Sequence, residues 1–232
     1  MIMPEGAPGG ADTMVVVPAF NEGPVIGGVV RELRAQGYPV VVVDDGSSDR
    51  TEKEARSAGA LVLRHPINRG QGAAIQTGLT YCGRSRARFV ATFDADGQHR
   101  VEDIAALTEA IERTGADLAL GSRFLGEATD MPGSRKILLK LAVAFTTLTE
   151  GIRLSDAHNG LRVFTRESAE RIHIRRDGTA HASEIVGEIR RLRLRHVEVP
   201  VTVRYTEYSR GKGQSNRNVL GILVELMVGK LR

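Results

Sequence analysis

Two carboxylates one residue apart, Asp94 and Asp96, stand in "FDADGQH" with Gly97 and Gln98 immediately behind them. On an extended chain the side chains at i and i+2 point to one side, so these two charges would face the same space and repel. A divalent cation relieves that repulsion. Mg²⁺ and Mn²⁺ prefer oxygen ligands, and Mg²⁺ is usually held by one or two carboxylates together with substrate phosphates. Gln98 could add a neutral third oxygen, and a metal held there would act as a Lewis acid on a diphosphate leaving group. Three other clusters have comparable chemistry: Pro18, Phe20, Asn21 and Glu22; Asp44, Asp45, Gly46 and Ser47; and Ser122 with Arg123. Each has an ordinary alternative, because Asp-Gly and Gly-Ser pairs form turns and an Asp before a helix caps it. The chain contains neither Gly-x-Gly-x-x-Gly after its first apolar run nor Gly-x-x-x-x-Gly-Lys-Ser/Thr. A phosphorylated ligand would therefore need cations rather than a backbone cradle.

The elements that must position these residues are legible as alternating apolar runs and helical patterns. "MVVVP" (14 to 18), "VVVVDD" (40 to 45), "ALVLR" (60 to 64), "RFVATFD" (88 to 94) and "DLALGS" (117 to 122) have strand length and the continuous apolar character of strands buried on both faces. Helices are expected over about 24 to 36, 50 to 58, 70 to 82 and 101 to 114, the first opening with Pro24 in its first turn. Strand alternating with helix implies a parallel sheet with right-handed crossovers. In such α/β sheets ligands bind outside the carboxyl ends of the strands, and all four polar clusters fall at strand ends. From about residue 134 the rhythm changes to a helix (134 to 150), a strand (161 to 165), a helix (181 to 194), a strand (197 to 205) and a last helix (about 216 to 231) that complete the sheet and close one side of the cleft.

The chain has 232 residues, 41% of them hydrophobic and 26% charged, with a net charge of +4. That suffices for one α/β domain with a sizeable core. Basic residues are interleaved with acids, which argues against nucleic acid as partner. The single cysteine, Cys82, forms no disulfide framework within the chain and fits a reducing, cytoplasmic setting. The first 12 residues are Gly- and Pro-rich, are expected to form a flexible tail, and are unlike a signal peptide. No run reaches the roughly 18 to 20 apolar residues that would span a bilayer.

Taken in order, "VVVPAFNEG", "VVVDDGSSDRT", "NRGQGAAIQTGL", "FDADGQH", "GSRF" and "DAHNGLRVFTR" resemble the family-2 glycosyltransferases of the GT-A fold, and within them the dolichol-phosphate mannosyltransferase-like and polyprenyl-phosphate glycosyltransferase branch. The resemblance covers about residues 13 to 215, with 13 to 123 as the nucleotide-sugar half and 124 to 215 as the acceptor half, and leaves 216 to 232 as an apolar C-terminal helix. It implies a Rossmann-like, mostly parallel sheet with helices on both faces and transfer of a sugar from a nucleotide-diphosphate donor with inversion. By resemblance, Pro18, Phe20, Glu22, Val43 and Asp45 border the base and ribose. Asp94, Ala95 and Asp96 form the DXD motif; Asp94, Asp96 and Gln98 hold Mg²⁺ or Mn²⁺; Asp96 and Arg123 carry the transfer, Arg123 contacting donor phosphate or sugar. Arg210 and Lys212, in "YSRGKGQS", sit about where the family has a mobile basic loop over the diphosphate. A Gly-rich loop with two cations can close on an anion and reopen. The chain departs from the family in having Phe20 where Tyr is frequent, which removes a hydroxyl but keeps a stacking ring, and in having "GKGQSN" for the usual C-terminal motif. It has no Trp, so the Gln-x-x-Arg-Trp signature of polymerising relatives is absent and one transfer per encounter is expected.

For the acceptor, a polyprenyl phosphate is already an anion and needs no general base, whereas a hydroxyl on a glycan or small molecule would need one. Arg135 is the position the resemblance assigns to an acceptor phosphate; for a hydroxyl acceptor, Glu184 and Asp156 are the candidate bases. "GSRKILLKLAVAFTTL" joins Arg135, Lys136 and Lys140 to an apolar body, and "NVLGILVELMVGKLR" ends in Lys230 and Arg232. Basic, apolar helices suit the inner face of a membrane carrying an anionic lipid, or else the core, a small membrane partner or a homodimer. The six His show no metal-ligand spacing; His99, beside the Asp pair, could lie in the site, but a surface turn is the leading expectation for it. A sugar-1-phosphate nucleotidyltransferase would want a cationic Gly-rich loop after the first strand, which "PAFNEGP" lacks. A non-catalytic nucleotide-sugar-binding subunit of a membrane complex is the remaining alternative, against which the intact acidic pair speaks.

Overall fold

A computed structural model describes residues 12–129, 139–148 with breaks at 142 and 145, 151–178 and 180–204. Seven strands, β1 (Thr13–Ala19), β2 (Val40–Asp44), β3 (Leu61–Arg64), β4 (Phe89–Thr92), β5 (Leu118–Thr129), β6 (Arg162–Thr165) and β7 (His196–Arg204), form one sheet in the order β3-β2-β1-β4-β6-β5-β7. β1 to β4 run parallel, and β6 enters antiparallel to both β4 and β5. β7 is parallel to β5, with a register shift between Ser122 and Glu127.

Both sheet faces are covered, and the strands β1, β2 and β4, apolar at nearly every position, are buried along their whole length. In β1, Val15 and Val17 face a layer made by α1 (Gly23–Ala35), α2 (Thr51–Ser57) and α4 (Glu102–Thr114), where Ile26, Leu33, Ala55, Ile104 and Leu107 are buried. Met14 and Val16 alternate to the other face, against α3 (Gln71–Gly83), α5 (Arg166–Arg171) and α6 (His181–Leu192), which bring Ile75, Leu79, Ala169, Ile185 and Ile189. Each such Val, Leu or Ile, fully buried, is worth about 1.5–3 kcal/mol, and the two apolar layers together hold the strand ends in fixed relation. One helix lies closer than an ordinary side chain allows: a Cβ at Gly78 of α3 would run into the Val16 side chain of β1. The described residues of 139–148 are helical. The first 11 residues, where a flexible tail is expected, and the helix expected over 216 to 231 lie outside the described residues.

The strand before the acidic pair ends earlier than expected. β4 ends at Thr92, and residues 95–97 form a turn. Asp94 and Asp96 therefore do not share a side of an extended strand; a turn beyond the strand end brings them together.

Candidate active site

The loops after β1 and β2 are tied to one another. The backbone N–H of Asn21 donates to Ser47 Oγ at 2.9 Å, that of Ser48 to Asn21 Oδ1 at 2.9 Å, and that of Glu22 to Thr51 Oγ1 at 2.8 Å. Asn21 itself adopts a left-handed conformation, φ 53°. Asp44 holds the second loop's turn by accepting the Ser47 N–H at 2.9 Å. Asp45 is engaged at both oxygens, by the N–H groups of Arg69 (3.0 Å) and Gly70 (2.6 Å) and by His65 Nδ1 at 2.7 Å. His65 Nε2 lies 2.9 Å from Thr77 Oγ1 of α3.

At these strand ends opens a pocket enclosing about 440 Å³, lined by residues that include Pro18, Phe20, Glu22 and Asp45, the group Asp94, Ala95, Asp96 and Gln98, and Arg123, His158, Arg162 and His181. Phe20 is 43% exposed and its side chain lines the pocket, where an aromatic ring suits a planar base. Asp94 is held from two sides, by Gln71 Nε2 at 3.2 Å and His99 Nε2 at 3.1 Å. Burial alone would raise its carboxyl, but the His99 hydrogen bond and the nearby His99, Arg162 and His181 bring it below the usual value. Asp96 behaves oppositely: burial first, and the Asp94 charge second, push it up to about 6. One of its oxygens accepts the Gln98 N–H at 3.1 Å. The end of β7 clips this turn in place, Arg204 N–H donating to the Gln98 carbonyl at 2.9 Å while His99 bridges Val203.

Two carboxylates that resist ionising together are a site that a divalent cation would relieve. Among the described residues no group of three or more His, Cys, Asp or Glu could hold a metal. A cation would therefore rely on Asp94 and Asp96 completed by a neutral oxygen such as that of Gln98 and by substrate oxygens, a ligand set that suits Mg²⁺ or Mn²⁺.

The sequence profile of glycosyl transferase family 2 matches residues 14–173. The chain belongs to that family. It is similar to an uncharacterized protein of Methanocaldococcus jannaschii, 36% identical over 225 residues, which cover 95% of this chain and 93% of the relative. It is also 30% identical over 248 residues to the UDP-N-acetylglucosamine–dolichyl-phosphate N-acetylglucosaminyltransferase of Methanococcus voltae, covering 95% of this chain and 98% of that one. Among solved structures, glucosyl-3-phosphoglycerate synthase from Mycobacterium tuberculosis, in complex with Mn²⁺ and UDP-glucose, superposes with a TM-score of 0.69 at 19% identity over 93% of this chain and 76% of that one. This likeness establishes the GT-A type of fold. The protein is a glycosyltransferase.

Of the transferase residues expected from sequence, Pro18, Phe20, Glu22, Asp45, Asp94, Ala95, Asp96, Gln98 and Arg123 line one pocket. Val43 does not: its side chain is fully buried in the layer beneath α3. Arg123 is buried and committed, its Nε donating to Asp156 Oδ2 at 2.6 Å and its Nη2 to the His158 carbonyl at 3.1 Å. Glu184 lies outside the pocket lining, where its carboxylate accepts the N–H groups of Arg175 (3.1 Å) and Arg176 (2.8 Å). His99 corrects the expectation of a surface turn: it is 7% exposed and edge-on to Phe93 with centroids 5.6 Å apart. Gln71, Gly160, Arg162 and His181 also line the site, the first three from within "NRGQG" and "HNGLR" and His181 from the start of "HASEIV". Arg135, Lys136, Arg210 and Lys212 lie outside the described residues.

Proposed function

We propose that this transferase moves one sugar per encounter from a nucleotide-diphosphate sugar to a polyprenyl phosphate, inverting the anomeric centre, with Mg²⁺ or Mn²⁺ held by Asp94, Asp96 and Gln98. The observation that carries the donor half is the paired, partly buried carboxylates lining the strand-end pocket, Asp96 raised to about 6 and Asp94 lowered. A bound divalent cation would supply Lewis-acid stabilisation of the departing diphosphate. The chain's own residues do the rest. Phe20 offers a face to the base, Glu22 and Asp45 border the nucleotide, and Asp96 meets the diphosphate end.

The acceptor half is supported by two observations. The Methanococcus voltae relative, spanned almost entirely by this chain, is named for transfer to dolichyl phosphate. Both residues that could serve as a general base for a hydroxyl acceptor are otherwise occupied, Asp156 by Arg123 and Glu184 by backbone N–H groups. An acceptor that arrives as an anion needs no base. Lys140, Leu141 and Leu148 are exposed on the helix near the pocket, Leu148 at 84%, which suits peripheral contact with the inner face of a membrane. No helix of the described residues is long and apolar enough to cross one.

The test is transfer from a panel of nucleotide sugars to a short polyprenyl phosphate with Mn²⁺ or Mg²⁺. Lipid product that disappears with chelator supports the reading; glycosylation of a soluble hydroxyl acceptor in its absence sinks the acceptor half. Asp96→Asn should abolish turnover, and unchanged activity in that variant would remove Asp96 from the transfer machinery.

A further inference from the structure

Arg162 differs from the other cation of the pocket wall. It stands on β6, is 3% exposed, and lines the pocket with Asp94. Of its five N–H donors, one makes a long contact, Nη2 to the Ala157 carbonyl at 3.5 Å. Nη1 is buried and has no partner among the described residues. Arg123, by contrast, spends its Nε and Nη2 on Asp156 and the His158 carbonyl. The charged and titratable groups facing Arg162 are Asp94, Asp156, Arg123 and His181. Asp156 is already closed against Arg123, and Asp94 against Gln71 and His99. Burial pushes the guanidinium down to about 10, which still leaves it cationic at neutral pH. A buried cation without a hydrogen-bonded counter-ion is costly unless a ligand completes it. Gln98 Nε2, in the same pocket, is a second buried donor without a partner among the described residues. Both call for an oxygen-rich anion, and a guanidinium fork matches phosphoryl oxygens.

We propose that Arg162 binds a phosphoryl oxygen of the substrate through Nη1. This rests on the pocket being the site of sugar transfer. The phosphoryl group can come from the donor diphosphate or from the acceptor monoester, and two binding measurements separate them. The full chain is titrated calorimetrically with UDP and with GDP, each with Mn²⁺; a short polyprenyl phosphate is then added to the nucleotide complex. Wild type is compared with Arg162→Gln and Arg162→Lys. The Gln variant should bind one of the two ligands about tenfold to a hundredfold more weakly, the range lost with one charge-assisted hydrogen bond, and Lys should recover part of that. Loss in the nucleotide titration assigns Arg162 to the donor, loss in the lipid titration to the acceptor. Variants that melt like wild type and bind both ligands equally well overturn the proposal. Should neither variant fold, structures of the wild-type complexes decide: a phosphoryl oxygen about 3 Å from Nη1 supports it, and none within hydrogen-bond reach overturns it. A wild-type protein that binds neither ligand instead overturns the transfer-site reading itself, and this assignment with it.

Discussion

Asp94 is fixed by a fit in which even a methyl group has no room. Gly160 passes so close that an added Cβ would overlap the carboxylate, while Gln71 and His99 hold its two oxygens. Gly160→Ala should therefore displace Asp94 and lower kcat/KM by about a hundredfold or more, the scale of a 1 Å misplacement in an active site. Initial rates beside a melting curve check this, since a loss of rate without comparable loss of fold is the expected pattern. Cys82 gives the opposite kind of prediction. Burial raises its thiol to about 12, so it should resist a thiol-specific reagent in the native protein and react at once in denaturant. At this scale the acids were legible because "DADGQ" and "DDGSS" are compositionally unusual at strand ends. The partners of those acids were not. Gln71, His99 and Arg162 carry no spacing signal that ties them to Asp94; packing brings them there from an α-helix, a loop and an antiparallel strand.

Helix α3 is the element on which the pocket wall depends, because it carries Gln71 at its start and Thr77, the partner of His65, one turn and a half later. Its approach to β1 is set by Gly78 against Val16. Gly78→Ala should destabilise the protein by about 1–3 kcal/mol, the usual cost of overpacking a core, and urea titration should show a lower midpoint with an unchanged slope. Most strands and helices are readable to within one or two residues, since burial on both faces leaves an uninterrupted Val-rich run; β5 is the exception, expected to end at 122 but running to Thr129 past an irregularity between Ser122 and Glu127. β4 is shorter than expected, because "FD" continues its composition although the strand ends at Thr92. The short helix α5 was missed. Its signal was local, Thr165 capping the Ser168 N–H at 3.2 Å, but six residues are too few to show a period.

At the scale of the whole molecule, the pocket couples to folding through His181. Burial, reinforced by the Arg162 charge, pushes its imidazole down to about 4 from 6.5. Between those values the unfolded chain binds a proton that the native protein refuses. Stability is therefore intact above about pH 6.5 and is lost as pH falls toward 4, by up to about 3 kcal/mol from this group. Urea unfolding at pH 7 and pH 4.5 should show a smaller drop for His181→Gln than for wild type. The same tertiary packing accounts for what could be known in advance. By itself the sequence determined the α/β alternation, the family and the acids at the strand ends, because period, composition and short motifs are local properties of a chain. Only the tertiary structure decided that β6 runs antiparallel into the sheet, that Arg123 is closed by Asp156, that Glu184 serves the backbone, and that Arg162 and His181 face Asp94. Those facts depend on which distant segments share a cavity, and burial, charge pairing and hydrogen-bond saturation have no counterpart along the chain.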